Sequence, residues 1–93
     1  MKIHIPTPLR PYADKQPVVE VQGMTVAQGL EQLLARHPEL RRHLYAEDGR
    51  LRAFVNLYLN DEDIRYLDRE GTAVKDGDTL SIVPSIAGGA GRR

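Results

Sequence analysis

The chain has no cysteine, no excess of either charge and no long apolar run. Without cysteine there can be no disulfide, no cysteine-ligated zinc and no catalytic thiol. Lysine plus arginine number 13 and aspartate plus glutamate number 13, a formal net charge of zero. Non-specific nucleic-acid binding needs a cationic excess, so no nucleic-acid partner is expected. The same balance argues against a polybasic membrane patch or an acidic tail. No stretch approaches the ~18 consecutive apolar residues of a membrane span. The opening run MKIHIP has no h-region of a secretory signal. The expectation is a cytoplasmic protein with no membrane partner.

Enzymatic constellations are missing too. His37 and His43 are six residues apart, not on one helical face like an i, i+4 metal pair, and His4 is distant in sequence. The three read as surface histidines rather than metal ligands. Glu47-Asp48 and Asp61-Glu62-Asp63 fall in expected turns and match no EF-hand. They read as solvated turns, with a cation site as the alternative. Arg36, Arg41, Arg42, Arg50 and Arg52 surround a short helix and a turn. They form either a solvated face or a contact patch for an acidic protein partner. No catalytic residue and no metal site can be nominated from this set.

What is present suits one small globular domain. The chain has 93 residues, 41% hydrophobic and 28% charged. A domain of this size buries about 60–65% of its unfolded surface, enough to fold unaided. It is expected to be a monomer on its own. Met1, Ile3 and Ile5 alternate with Lys2 and His4, a half-buried strand. Pro6, Pro8 and Pro11 predict a stiff loop, and residues 17–22 a second strand making a hairpin with the first. Thr25 and Gln28 form a capping-box pattern ahead of Val26, Leu30, Leu33 and Leu34, one helical stripe. Gly29 inside that helix suggests close packing, and residues 38–44 predict a short second helix with proline at its first position. Residues 51–60 alternate as a long strand, with Leu51, Ala53, Val55, Leu57 and Leu59 on one face and Arg52, Phe54, Asn56, Tyr58 and Asn60 on the other. Ile64, Arg65 and Tyr66 predict a short return strand, residues 67–72 a loop or single helical turn, and residues 79–84 a last strand with Leu80 and Ile82 inward. Strands gathered around one main helix predict an α+β fold.

The C-terminal residues stand apart. Ser85-Ile-Ala-Gly-Gly-Ala-Gly-Arg-Arg93 is small, glycine-rich and unable to pack. At ordinary glycine usage a Gly-Gly pair falls at a given position about 0.5% of the time. Here the pair follows directly on a strand, in a chain with no catalytic set. The runs Phe54-Val-Asn-Leu-Tyr-Leu-Asn-Asp-Glu-Asp-Ile-Arg65, Asp76-Gly-Asp-Thr-Leu-Ser-Ile-Val-Pro84 and Ile86-Ala-Gly-Gly89 carry a family resemblance. The chain resembles the ubiquitin-like sulfur carriers of the MoaD/ThiS type. It looks most like the branch serving cysteine biosynthesis, a likeness shared by Ile3 to Pro6 and by Leu9-Arg10-Pro11.

The resemblance implies a β-grasp fold over residues 1–87, a mixed sheet of four to five strands on one main helix, and a flexible tail over residues 88–93. It implies that an E1-like adenylyltransferase uses ATP and Mg²⁺ to adenylate the terminal glycine. Sulfur then displaces AMP and leaves a thiocarboxylate, with no cofactor bound by this chain. A glycine tip fits that chemistry, because a terminus entering another enzyme's active site needs bare backbone and flexibility. Gly88 and Gly89 are therefore the candidate terminus. Four residues follow Gly89, so its carbonyl is in an amide until they are removed. Cleavage between Gly89 and Ala90 is expected, with a JAMM-type zinc metalloprotease as the implied protease; the alternative is a cloning scar. Losing residues 90–93 leaves 11 basic against 13 acidic residues, a net charge of −2. A sulfur-accepting synthase, with the PLP-dependent class as a candidate, completes the implied partners. Phe54 and Tyr58 on the outward face of the main strand, with Pro84 and Ile86 leading to the tail, form the candidate partner surface. The alternative is that the chain's own loops partly cover Phe54 and Tyr58. Three functions remain in competition: sulfur carrier (for cysteine, or as the molybdopterin or thiamine type), protein modifier joined to lysines through Gly89, and non-covalent interaction module.

Overall fold

A computed structural model describes residues 1–84. Five strands form one mixed sheet in the order β2-β1-β5-β3-β4. They are β1 (Lys2–His4), β2 (Val18–Glu20), β3 (Val55–Leu59), β4 (Glu62–Asp63) and β5 (Thr79–Pro84). The helix α1 (Val26–Arg36) follows β2, and the single-turn α2 (Arg41–Leu44) follows a 3₁₀ turn at Pro38–Leu40. This is the β-grasp arrangement expected of the sequence.

Apolar periodicity accounts for the core. Met1, Ile3 and Ile5 are all buried, as are Leu80 and Ile82 of β5 and Val55, Leu57 and Leu59 of β3. Against them lie Val26, Leu30, Leu33 and Leu34 of α1, with Leu40 and Leu44 closing the end. β1 pairs antiparallel with β2 and parallel with β5, so the first strand and the last are neighbours. The capping box forms with a shift of one residue. Thr25 Oγ1 accepts from the Gln28 amide at 3.2 Å, while Gln28 Oε1 accepts from the Met24 amide at 2.7 Å.

The two glycines flanking the start of α1 have a packing reason. A Cβ on Gly29 would lie 1.8 Å from Met1 Cε. A Cβ on Gly23 would lie 2.9 Å from the backbone nitrogen of Gly29 and 3.0 Å from Gln28 Cβ. The methionine methyl can swing aside, whereas the helix backbone cannot.

Three local expectations fail. The proline-rich loop is a 3₁₀ helix over Thr7–Ala13, because φ near −65° at proline suits 3₁₀ geometry. The long strand over residues 51–60 is only β3. Ala53 is exposed, Leu51 makes an isolated bridge to Tyr45, and the Val55 amide bonds the Arg52 carbonyl in a turn. The return strand is Glu62–Asp63, while Ile64–Tyr66 is a 3₁₀ turn capped by Asp63, whose side chain accepts from the Arg65 amide. Asn60 and Asp61 both have positive φ, 50° and 74°. A two-residue hairpin loop with both φ positive matches the twist of the flanking strands.

Replacing Gly23 by alanine should cost about 1–3 kcal/mol through overpacking. Gly71→Ala, where nothing lies within 4 Å, should stay within about 0.5 kcal/mol of the parent. Urea unfolding of the two variants checks both values. Equal midpoints would contradict the packing assigned to Gly23.

Candidate functional site

β5 carries the chain toward its C-terminal tail. β1 flanks it only at Thr79, Leu80 and Ser81, whereas β3 pairs along its whole length. Among the described residues Val83 and Pro84 therefore have a strand neighbour on one side alone, opposite Asn56 and Val55. The candidate terminus Gly88 and Gly89, the junction with Ala90, and Ile86 lie outside the described residues. So does the boundary expected between a domain ending at residue 87 and a tail over 88–93.

The start of β5 is clasped firmly. Asn60 Oδ1 accepts from the Thr79 amide at 3.0 Å, and Asn60 Nδ2 donates to Asp78 Oδ1 at 3.0 Å. The Lys75 amide donates to Asp78 Oδ2 at 2.9 Å. The Asn60 hydrogen bond, and then that of the Lys75 backbone, hold the Asp78 carboxyl below its ordinary value. Stabilising the charged form lowers a carboxyl pKa. One asparagine thus ties the end of β3 to the strand that leads into the tail.

The outward face of the sheet follows from the registers. Val18, His4, Ser81 and Tyr58 form one row across four strands. Val83 stands opposite Asn56, one step nearer the tail. Phe54, in the turn before β3, is 43% exposed and Val83 is 42% exposed. Tyr58 and Pro84 are half-buried. Exposure at the candidate surface thus concentrates in Phe54 and in Val83, which sequence reasoning missed. Placing Leu80 and Ile82 inward already implied that Val83 points out. Tyr66, 82% exposed, was also missed, because a strand was expected where a 3₁₀ turn forms.

Three side chains differ from the solvated picture. His37 is buried, with Nδ1 4.0 Å from Asp14 Oδ2, and His43 is half-buried with its ring stacked on Tyr12 at 4.0 Å. Only His4 is a surface histidine. Asp63 is buried and accepts from Arg65 Nη2 at 2.7 Å and from Arg65 Nε at 3.1 Å. The guanidinium hydrogen bonds, then the Arg65 backbone amide, hold the Asp63 carboxyl below the usual range. Among the described residues no group of three or more His, Cys, Asp and Glu could hold a metal ion. No helix among them is long and apolar enough to cross a membrane.

Both carboxyls have folded-state pKa values below the unfolded value near 3.9. Their contribution is complete above that value and is lost as pH falls through the folded pKa. The urea midpoint should therefore fall as pH drops from about 5 toward 2. Asp63→Asn and Asp78→Asn should each flatten that decline. An unchanged slope in both variants would contradict the assigned partners.

The ThiS family profile matches residues 3–89. Sulfur carrier protein CysO of Mycobacterium tuberculosis is 38% identical over 89 residues, 94% of this chain and 96% of that protein. A chain in the crystal structure of the Amycolatopsis orientalis BexX/CysO complex is 40% identical, with a TM-score of 0.85 over 95% of this chain and 98% of its own. Small archaeal modifier protein 3 of Haloferax volcanii is 38% identical over 65 residues, 70% of each chain. Sulfur carriers of the CysO and ThiS type are small cosubstrates that work with partner enzymes. The chain belongs to the ThiS family of ubiquitin-like proteins and is a sulfur carrier, a protein cosubstrate rather than an enzyme.

Proposed function

We propose that sulfur is carried as a thiocarboxylate on Gly89 and delivered to the biosynthesis of cysteine or a related sulfur metabolite. The observation that carries this reading is the reach of the family match, which ends at Gly89, the second glycine of the pair. The identity to a CysO sulfur carrier over 94% of the chain favours the cysteine branch over the molybdopterin and thiamine branches.

Residues 90–93 lie beyond that match and are removed first, by a protease of the JAMM metalloprotease class. The freed Gly89 carboxylate then attacks the α-phosphate of ATP, held with Mg²⁺ by an E1-like enzyme in the cytoplasm. Pyrophosphate leaves and an acyl adenylate forms. Hydrosulfide adds to the activated carbonyl, loses its proton and expels AMP. A carboxylate is a poor electrophile, and adenylation gives it a good leaving group. In a synthase of the PLP-dependent class the thiocarboxylate sulfur then adds to an electrophilic carbon of the acceptor, giving a Gly89 thioester; hydrolysis of the acyl–sulfur bond returns the Gly89 carboxylate and leaves the sulfur on the acceptor. Phe54, Tyr58, Val83 and Pro84 give these partners a surface beside the tail, and the bare backbone of Gly88 and Gly89 lets the tip enter a narrow channel.

The likeness to a small archaeal modifier protein favours a second reading, conjugation of Gly89 to lysine side chains through an isopeptide bond. Both begin from the same acyl adenylate, and they part at the nucleophile.

Incubating residues 1–89 with the cognate E1-like enzyme, ATP and sulfide should raise the mass by the difference between sulfur and oxygen. The 93-residue form should stay unchanged. Absence of the gain in the shorter form would overturn the carrier reading at Gly89. Gly-Gly remnants on cellular lysines, without a thiocarboxylate, would select the modifier. Phe54→Ala in the shorter form should raise the KM for the E1-like enzyme about fivefold or more, as loss of an aromatic contact worth over 1 kcal/mol, with thermal unfolding little changed.

A further inference from the structure

One side of the molecule combines an open strand edge with arginines that lack carboxylate partners. β4 is two residues long and pairs only with Tyr58 and Leu59. β5 runs along all of β3 on the other side. The first three positions of β3 therefore border no strand on the β4 side among the described residues. The Asn60 amide donates to the Thr79 carbonyl, and that pair continues the β3–β5 register. Bonding alternates along an antiparallel ladder. Leu57, three positions away, accordingly turns its N–H and C=O away from β5, toward the gap that β4 leaves.

That gap is a cleft of about 560 Å³. Leu57 and Ile64 supply apolar lining, and Arg50, Arg52, Arg65 and Arg69 are on its wall. Of its two acids, Asp63 holds Arg65. Glu70 is near Tyr45, whose pKa burial and then the Glu70 charge push up to about 12. Among the described residues no carboxylate lies within ion-pair distance of Arg50, Arg52 or Arg69. Arg50 and Arg69 are exposed, and Arg52 is fixed at the wall by donating from Nε to the Arg42 carbonyl at 3.0 Å. Of the five arginines named in the sequence, Arg50 and Arg52 line this cleft, together with Arg65 and Arg69.

We propose that this cleft takes an extended acidic segment of a partner protein as an added strand. The Leu57 N–H and C=O provide the backbone pairing, the apolar floor takes alternate side chains, and the three arginines take carboxylates. Charge complementarity selects the occupant: the wall carries four arginines against two acids, one of which is paired with Arg65, so a positive excess faces a ligand's negative charge. A small anion would use neither the strand edge nor the apolar floor. Position adds a consequence. Val55, at one end of the cleft, pairs with Pro84. The added strand would lie two strand spacings from β5, about 10 Å. A partner gripping this edge holds the base of the tail at a fixed distance from itself.

The test uses the full 93-residue chain, ¹⁵N-labelled, and two synthetic seven-residue peptides. One alternates valine with glutamate and the other valine with lysine. The acidic peptide should shift the amides of Leu57 and Ile64, slow hydrogen exchange at Leu57, and bind several-fold more weakly as salt is raised through the physiological range. Arg50→Glu with Arg69→Glu should abolish the shifts while the spectrum stays dispersed. Arg50→Glu alone should weaken them, and Arg50→Lys should largely preserve them. The proposal is overturned if the acidic peptide shifts nothing, binds no better than the lysine peptide, or maps to the opposite edge at Val18–Glu20. Inorganic phosphate reproducing the same shifts would overturn it too, in favour of a small-anion site. Neither probe touches Gly89, so the thiocarboxylate reading stands or falls separately.

Discussion

The hydrogen bonding of β5 between β1 and β3 is the constraint on which the rest depends. β5 is the last strand of the sheet in sequence but central in space, parallel to β1 and antiparallel to β3. A parallel neighbour cannot be reached by a tight hairpin, so the chain must cross over between them. α1 makes that crossing and buries its apolar stripe on the face where Leu80 and Ile82 point. The same pairing decides how the C-terminal segment leaves the sheet. Its origin is pinned at Asp78 and Thr79 by Asn60, and its last described residues lean on β3 alone. The strand that leads to the C-terminal residues is thus held on both sides at its start and by β3 at its last described residues.

This geometry separates holding from chemistry. Among the described residues there is no metal-binding cluster, and the perturbed carboxyls at Asp63 and Asp78 are engaged in clasps that fix turns. They are structural carboxylates, stabilised in the charged form by donors that leave little freedom for proton transfer. Under the proposed function the domain contributes an address: Phe54 and Val83, exposed near the last described residues of β5, and an arginine-walled edge on the far side of β3. Phosphate handling and acyl activation would then belong to its partner enzymes.

Much of this was legible in the sequence, because burial follows period. Met1, Ile3 and Ile5 alternate and are buried; Val26, Leu30, Leu33 and Leu34 recur at helical spacing and are buried. The capping pair Thr25 and Gln28 marked the start of α1 to the residue. Failures came where period was accidental. Leu51 and Ala53 continue the alternation of β3 on paper, yet the Arg52 carbonyl closes a turn that ends the strand at Val55. Ile64 is apolar and buried, but Asp63 caps a 3₁₀ turn there, which no alternation rule detects. His37 reads as a surface histidine because its spacing from His43 makes no metal pair, yet it is buried. Its burial comes from tertiary packing at the end of α1, which local sequence does not encode. Val83 follows from the alternation of β5 alone, whereas the open edge of β3 needs sheet order to be seen, and strand order is a long-range property.

The central claim is that Gly89 is the working terminus and that sulfur leaves from it. The most direct measurement is mass spectrometry of the C-terminal peptide from protein isolated from its own cells under sulfur limitation. The account predicts a population ending at Gly89 with a thiocarboxylate in place of the carboxylate. Chains that all retain Arg93, or that end at Gly89 with no sulfur under any condition, would contradict it.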